Sequence, residues 1–320
     1  MVAALVTATK SPATPLIVIV GPTASGKSEL ALRLAEAFAG EIVSCDSVAV
    51  YREMEIGTAK PSHADRALVP HHLLDVASPD ESFTAGDYSR LAREALLGIT
   101  GRCRLPIVSG GTGLYLRALV EGLFPAPAVD PELRTRLRTL AATRGAPYLH
   151  RILLRLDVQS AGAIHPNDAP KLVRAIEVTL TARNPISSQW QSGREALEGY
   201  RILRLGLGPE RSRLYRRIDL RAAAMFGSGL VEETNLLLER FGRECRALAS
   251  LGYAEAAAVL RGDLTREAAV AAAQQGHRNY AKRQMTWFQR DPATHWLHGF
   301  GSDPEVLAKA KRLVDTHRQG

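Results

Sequence analysis

Cysteines are scarce and widely separated in this sequence. Only three occur among 320 residues, Cys45, Cys103 and Cys245, and they form no CxxC pair. Disulfide frameworks and cysteine zinc sites need several thiols at short spacings, so neither is predicted. The scarcity is typical of the reducing cytoplasm, and we expect a cytoplasmic protein.

Long apolar runs are also missing. The opening MVAALVTATK has no basic residue ahead of its short apolar run, and Leu16–Val20 is too short to cross a bilayer. We therefore expect no signal peptide and no membrane as partner. At 46% hydrophobic residues, the chain can still bury one large core or two modest ones.

Basic residues outnumber acidic ones. Lys and Arg total 41, Asp and Glu total 33, and the formal net charge is +8. The basic residues are concentrated in 134–155 and 194–221. Such an excess favours a phosphate-rich partner such as nucleic acid, although many enzymes of small anionic metabolites are basic too.

Strand and helix patterns alternate in the first third of the chain. Leu16–Val20, Glu41–Cys45 and Leu105–Ser109 are short runs typical of buried strands, and Tyr88–Ile99 has helical periodicity. Strands that alternate with helices indicate a parallel sheet covered on both faces by helices. The predicted fold class is therefore α/β.

The pattern changes after Glu121. Three prolines occur in 122–131, and helical patterns follow, with Asp130 as N-cap and Pro131 at the first helical position. We predict an all-helical insertion at 122–191, between the two parts of a core formed by 14–121 and 192–320. A returning strand at 202–207 and an edge strand at 295–297 complete the predicted core.

A phosphate-binding motif, GxxxxGK[ST], lies between the first strand and the first helix. Its residues are Gly21, Pro22, Thr23, Ala24, Ser25, Gly26, Lys27 and Ser28. In such a loop the backbone amides face an anion, the lysine adds positive charge and the serine hydroxyl can hold Mg²⁺. ATP, GTP and a prenyl diphosphate offer this loop the same oxygens, so the motif alone does not choose among them.

Two further segments follow predicted strands at the same edge of the sheet, where ligands of parallel sheets bind. Asp46 could accept a proton from an attacking group, cap a turn that begins at Ser47, or act at a metal through water. Thr112, in the loop 110–113, could donate a hydrogen bond to an acceptor base or to the diphosphate, although tight helix packing would also explain the glycines. Ser109 ends the third strand where a hydrolytic P-loop motor usually carries an acidic residue, which disfavours an ATPase.

Later segments suggest contacts with phosphate or RNA. Arg217 and Arg221 could close over a leaving diphosphate, or pair with Asp219. The segment 170–174 begins a helix with a basic side, and 277–288 interleaves basic and aromatic residues against which RNA could lie. A solvated helix face and core-facing aromatics are the plainer interpretations.

Seven sequence blocks occur in order over about 16–296, namely GPTASGKS, SCDSVAVYREMEIGTAKP, HHLLD, SGGTGLYLRALVEGL, IHPNDAPKLVRAIEV, LGYAEA and YAKRQMTWFQRD. In these blocks the chain resembles the bacterial tRNA dimethylallyltransferases. The resemblance implies a fold similar to P-loop kinases, with dimethylallyl diphosphate as the donor. It also implies an acceptor, the adenine 3′-adjacent to the anticodon in tRNAs that read codons beginning with U.

The resemblance also implies roles for individual residues. Asp46 would be the general base and Thr112 would contact the base or the diphosphate, while the helical insertion would bind the anticodon stem. Lys27, Arg217 and Arg221 are the residues that we expect to stabilise the leaving diphosphate, with Mg²⁺ at Ser28. The expected tRNA contacts are Asp46, Ser47, Val48, Ala49, Thr112, Arg134, Pro170, Lys171, Leu172, Val173, Arg174, Gly252, Tyr253, Lys282 and Arg283. Ala254 departs from the family pattern, in which a basic residue often follows the Gly-Tyr pair.

Three other functions are compatible with parts of the sequence. A small-molecule kinase would use ATP in the same loop, with Asp46 activating a hydroxyl, but it does not explain the Arg-rich insertion. Prenyl transfer to free adenine nucleotides would not require that insertion. A non-catalytic RNA-binding protein would not require Lys27 and Ser28. We expect a monomer with tRNA and dimethylallyl diphosphate as partners.

Overall fold

A single parallel sheet organises the larger part of the molecule. The computed structural model describes residues 13–124, 127, 129–191 and 193–320. The opening ten residues and the predicted boundary residue 192 lie outside these ranges, as do positions 125, 126 and 128 of the predicted insertion. The strands of the described residues are β1 Thr14–Val20, β2 Gly40–Cys45, β3 His71–His72, β4 Leu105–Gly110, β5 Tyr200–Leu207 and β6 Thr294–Leu297.

The helices follow the strands in the order expected for an α/β fold. They are α1 Lys27–Phe38, α2 His63–Leu68, α3 Ala85–Gly101, α4 Gly113–Val120, α5 Pro131–Arg144, α6 Ala146–Leu156, α7 Val158–Ala163, α8 Ala169–Ala182, α9 Ile186–Gln191, α10 Arg211–Gly227, α11 Leu230–Phe241, α12 Tyr253–Leu260, α13 Arg266–Phe288 and α14 Pro304–Gln319, with a short 3₁₀ turn at Arg246–Ala249. Among the described residues, none of these helices combines the length and the apolarity needed to cross a membrane.

The strand order is β3-β2-β4-β1-β5-β6, and every neighbouring pair is parallel. This arrangement confirms the predicted fold class, a P-loop type of parallel sheet with flanking helices. Because β1 lies inside the sheet between β4 and β5, the loop that follows it emerges at the middle of the carboxyl edge. Ligands of such sheets bind at this edge.

Both faces of the sheet are covered, which explains why β1 is apolar at every inner position. Ile17 and Ile19 pack on one face with α1 and α14, while Leu16 and Val18 pack on the other with α3 and α4. All four side chains have no exposed surface. Burying a side chain of this size stabilises a fold by about 1.5–3 kcal/mol, so β1 is a rigid base for the loop that it carries.

The helical segment forms a second compact unit, 121–196. Asp130 accepts a hydrogen bond from the Leu133 backbone N–H and Pro131 is the first residue of α5, as the sequence predicts. Leu149, Leu153 and Ile176 form a core that is buried within this unit. The predicted insertion, 122–191, lies inside these bounds.

The unit continues beyond the predicted boundary at 191 because its last residues contact its first ones. Arg194 forms an ion pair with Glu121, at 2.8 Å, and stacks over the ring of Phe124. A Cβ atom at Gly122 would meet the backbone of Glu195 at 2.4 Å, so these two backbone segments are in close contact. Sequence periodicity carries no sign of such contacts.

Gly110 permits the closest approach of backbones at the carboxyl edge. It ends β4 beside Cys45 of β2, and a Cβ atom at position 110 would lie 2.0 Å from the Cys45 carbonyl oxygen. We expect Gly110→Ala to separate the two strand ends and to lower the free energy of unfolding by about 1–3 kcal/mol. Urea unfolding followed by circular dichroism measures this change.

Gly101→Ala is the matched control. Gly101 ends α3 and has no atom within 4 Å of the position of its missing Cβ. This substitution should leave stability unchanged or raise it by up to about 1 kcal/mol. Equal stability of the two variants would contradict the close packing of β2 and β4.

Candidate active site

The loop between β1 and α1 has the backbone bends that its glycines allow. Gly21 and Gly26 have φ angles of 148° and 88°, and Ala24 also lies at positive φ. The Lys27 ammonium donates a hydrogen bond to the Pro22 carbonyl, at 2.8 Å, and so folds back over the loop. The segment after β6 supports the loop from outside, since the Gly301 N–H donates to the Ser25 carbonyl at 2.9 Å.

A cavity of about 520 Å³ opens above this loop. Its walls come from the loop itself, the end of β2, the segment 58–61, the loop after β4, and the helices α10 and α13. The sequence-predicted site residues that line it are Thr23, Ala24, Gly26, Lys27, Ser28, Asp46, Ala49, Arg217 and Arg221. The sheet thus brings together residues that are almost 200 positions apart in the chain.

Asp46 uses its two carboxylate oxygens differently. Oδ1 accepts hydrogen bonds from the backbone N–H groups of Val48, at 2.8 Å, and Ala49, at 3.2 Å. Oδ2 accepts none from the described residues, and Asp46 lines the cavity. The turn-capping interpretation is therefore correct for one oxygen, and it leaves the other available for chemistry.

Four cationic side chains line the same cavity, those of Lys27, Lys60, Arg217 and Arg221. Burial lowers the pKa of Lys27 to about 8, and the negative charge of Asp46 opposes that shift. Burial also lowers the pKa of Arg221, again opposed by Asp46. Arg217 lies over the Phe300 ring, 5.0 Å from its centroid. The carboxylates of the lining are those of Asp46 and Glu29, and Lys60 is paired with Glu55 and Asp75. The site therefore keeps a net positive charge, which suits an anion with several negative charges.

The two arginines do not form the surface pair with Asp219 that was one alternative. Asp219 instead forms an ion pair with Arg278 of α13. Arg221 Nη2 and the Thr58 carbonyl are 3.5 Å apart, as are Arg217 Nη1 and the Ser302 hydroxyl. These long contacts leave both guanidinium groups able to bind a ligand.

Thr112 connects the loop after β4 to the turn that follows Asp46. Its Oγ1 accepts a hydrogen bond from the Ser47 N–H at 3.0 Å, and its own N–H donates to the Cys45 carbonyl at 3.1 Å. The hydroxyl also donates to the Ser47 Oγ at 3.3 Å. Thr112 therefore fixes the position of the Asp46 turn in this structure.

Helix α13 contributes cavity residues that the sequence did not single out individually. Tyr280 and Gln284 line the cavity one helical turn apart, and burial raises the pKa of Tyr280 to about 12. His277, one turn earlier, is mostly buried beside Arg221, and both effects lower its pKa to about 4. Lys282 and Arg283 point to the exposed side. The spacing of 277, 280 and 284 is the signal that could have identified this inner face.

Within the helical unit, the predicted contacts Arg134 and Arg174 converge on one buried carboxylate. Both donate to Glu177 Oε2, at 2.6 and 2.9 Å, and the Glu177 side chain has no exposed surface. These contacts lower the pKa of Glu177 although burial opposes the shift. Together with Pro170, the arginines line a cavity of about 430 Å³ within this unit. Lys171, paired with Asp168 at 2.5 Å, is largely exposed.

Two residues predicted to contact tRNA have side chains without exposed surface. The side chain of Leu172 is fully buried in the core of the helical unit, and that of Tyr253 is fully buried in another apolar cluster. The Tyr253 hydroxyl donates to Glu233 at 2.6 Å and accepts from the Gly57 N–H at 3.2 Å. These side chains belong to the protein core. Val173 and Ala49 are each 5% exposed, but Ala49 lines the cavity above the loop and Val173 lines the cavity of the helical unit.

Sequence models of known families match most of this chain. The sequence model described as IPP transferase matches residues 49–291, and the one described as isopentenyl transferase matches residues 14–75. The chain is 60% identical over 301 residues to the tRNA dimethylallyltransferase of Koribacter versatilis, covering 94% of this chain and 98% of the relative. It is 53% identical over 301 residues to that of Solibacter usitatus, with the same coverage.

Solved structures have the same fold. The tRNA isopentenylpyrophosphate transferase of Bacillus halodurans is 35% identical, with a TM-score of 0.70, over 95% of this chain and 97% of that one. A eukaryotic dimethylallyltransferase acting on tRNA is 23% identical, with a TM-score of 0.80, over 95% and 80% of the two chains, and this likeness concerns the fold alone. The length and identity of these matches show that the chain belongs to the IPP transferase family.

Proposed function

We propose that this enzyme transfers a dimethylallyl group from dimethylallyl diphosphate to the exocyclic amine of an adenine in tRNA. The acceptor is the adenine 3′-adjacent to the anticodon in tRNAs that read codons beginning with U. One observation carries the proposal: Lys27 of the loop 21–28 and Asp46 line the same cavity, and Asp46 Oδ2 accepts no hydrogen bond from the described residues. The names of the relatives, tRNA dimethylallyltransferases, support the donor and the acceptor.

The cations suit the departure of diphosphate. In the transfer, a bond forms between the adenine nitrogen and C1 of the donor, while the bond from C1 to oxygen breaks and its electron pair leaves with the diphosphate. Lys27, Arg217 and Arg221 line the cavity where that negative charge increases. A well-placed donor of this kind typically contributes roughly 3 kcal/mol to stabilising a transition state.

Asp46 suits the role of proton acceptor. The adenine amine is a weak nucleophile because its lone pair is delocalised into the ring, and a carboxylate is too weak a base to ionise it beforehand. Asp46 Oδ2 therefore accepts the proton as positive charge grows on the nitrogen. Because Oδ1 remains bound to the N–H groups of Val48 and Ala49, the carboxylate is held in place during the transfer.

The oxygen atoms at the cavity fit Mg²⁺, a hard cation that prefers oxygen ligands. Ser28, Ser44, Asp46 and Ser109 all line the cavity. Among the described residues there is no cluster of three or more His, Cys, Asp or Glu side chains that could hold a metal. Ser28 would hold Mg²⁺, which would supply charge neutralisation to the diphosphate.

The basic surfaces suit an RNA acceptor. Lys171 and the arginines beside Glu177 lie in the helical unit, and Lys282 and Arg283 are exposed on α13. Such contacts would offset the cost of unstacking the target base, which is a few kcal/mol in other base-modifying enzymes. The relatives' names favour this acceptor over the hydroxyl of a small-molecule kinase substrate.

The proposal is tested by incubating the purified protein with bulk tRNA and dimethylallyl diphosphate. We expect prenylated adenosine in nuclease digests of the tRNA, detected by mass spectrometry as a gain of one C5H8 unit. Omitting either substrate is the control. Consumption of ATP in the presence of a small alcohol, without any prenylated adenosine, would favour the kinase instead.

Asp46→Asn separates the catalytic role of Asp46 from its structural role. The asparagine Oδ1 can still cap the turn at Val48 and Ala49, but the side chain no longer accepts a proton. We expect kcat to fall at least about 100-fold, within the usual contribution of a general base. The dissociation constant for tRNA, measured by filter binding, should stay within a few-fold of the wild-type value.

Asp65→Asn is the matched control, because Asp65 caps the exposed helix α2 and does not line the cavity. This variant should retain wild-type kcat. A fully active Asp46→Asn enzyme would remove Asp46 from the role of base.

A further inference from the structure

Gln284 occupies an unusual position for an amide side chain. It lies on the inner face of α13, where it is 6% exposed, and it lines the cavity beside the phosphate loop. The sequence suggested that RNA could lie against this segment, and the plainer interpretation was a helix with core-facing aromatics and solvated charges. A buried amide needs partners at both of its ends, so the identity of those partners indicates what Gln284 does.

Both ends of the amide bind backbone groups of loops on either side of the cavity. The Thr23 N–H of the phosphate loop donates to Gln284 Oε1 at 2.7 Å. Gln284 Nε2 donates to the Gly111 carbonyl, in the loop after β4, at 2.9 Å. One orientation of the amide satisfies both bonds, because one partner is a donor and the other an acceptor.

The close fit of Gln284 against Gly111 leaves no space for a side chain at position 111. A Cβ atom at Gly111 would lie 2.1 Å from Gln284 Nε2 and 3.8 Å from the Lys27 ammonium. Tyr280, one helical turn before Gln284, places its hydroxyl 3.5 Å from the same Gly111 carbonyl. Two side chains of α13 therefore converge on the backbone of this loop.

The two loops act on opposite sides of the proposed reaction. Thr23 belongs to the loop that would hold the leaving diphosphate. Gly111 precedes Thr112, which binds the Ser47 N–H and thereby fixes the turn of Asp46, the proposed base. Hydrogen bonds thus connect the phosphate loop to Gln284 and Gln284 to Gly111. The neighbouring Thr112 then binds the turn that carries Asp46.

We propose that Gln284 is a positioning residue that sets the separation of the phosphate loop from the loop carrying Thr112. The proposal rests on the proposed function, because that separation determines how closely the donor carbon approaches the adenine nitrogen. Gln284 does not touch the reacting atoms. Small misplacements of reacting groups reduce the rate of the chemical step more than they reduce binding.

Gln284→Met tests this role, because methionine retains the length of the side chain and removes both hydrogen bonds. We expect kcat to fall about 10- to 100-fold, as for a misplacement of the order of 1 Å. The KM values for dimethylallyl diphosphate and for tRNA should change by less than about threefold, because the groups that bind each substrate remain. Unchanged kcat, or a loss confined to KM, would overturn the proposal.

Gln284→Glu is the second variant, since it retains the acceptor for the Thr23 N–H and replaces the donor to Gly111 with an oxygen. It should also lose kcat, and amide hydrogen exchange should show which loop is released. A wild-type kcat in this variant would contradict the proposal.

Gln275→Met is the control, because Gln275 is an exposed glutamine of the same helix outside the cavity. It should leave kcat and both KM values unchanged.

Amide hydrogen exchange provides a readout that does not depend on the transfer reaction. In Gln284→Met, peptides covering 21–28 and 109–113 should exchange about fivefold faster than in the wild-type protein, as expected for the loss of one hydrogen bond each. In Gln284→Glu, only the peptide covering 109–113 should exchange faster than in the wild-type protein. Wild-type exchange in both loops of Gln284→Met would overturn the proposal. If the wild-type protein transferred no prenyl group while exchange changed as expected, the proposed function would fail and the positioning of the loops by Gln284 would stand.

Discussion

The charge balance of one cavity is the constraint on which the active site depends. Lys27, Arg217 and Arg221 share it with the carboxylates of Asp46 and Glu29, and burial lowers the pKa of Lys27 and Arg221. Cations that are partly desolvated in this way are best stabilised by a bound anion, because the two carboxylates do not neutralise all three of them. A bound anion with several negative charges would therefore stabilise these cations most, and a diphosphate leaving group carries such a charge.

Close backbone contacts preserve this arrangement. The missing side chain at Gly110 allows β4 to touch Cys45, and Gly26 similarly lies against the backbone of Gly301. Thr112 then fixes the turn of Asp46 through Ser47. Preorganised groups need little rearrangement as charge develops, which is why rigid loops at the edge of a sheet favour catalysis. Glycine is needed at both positions because a Cβ atom would collide with the neighbouring backbone.

Much of the fold and the centre of the site could be predicted from the sequence. The runs that became β1, β2, β4, β5 and β6 are apolar or β-rich, the phosphate loop has a distinctive motif, and Asp130 begins α5 as its sequence signal indicates. The two-residue strand β3 was missed because it is too short to show alternation. Gln284 was missed because its partners are backbone groups distant in sequence. Leu172 and Tyr253 were assigned to tRNA by position within family blocks, which carry no information on the burial of their side chains in the core.

The central claim is that the phosphate loop holds the donor's diphosphate and directs its first carbon toward Asp46. A crystal structure with a dimethylallyl thiolodiphosphate, in which sulfur replaces the bridging oxygen and slows transfer, tests this most directly. We expect the diphosphate at Gly21–Ser28 within reach of Arg217 and Arg221, with C1 facing the space beside Asp46 Oδ2. An analogue bound elsewhere, or a loop that accepts only a nucleoside triphosphate, would contradict it.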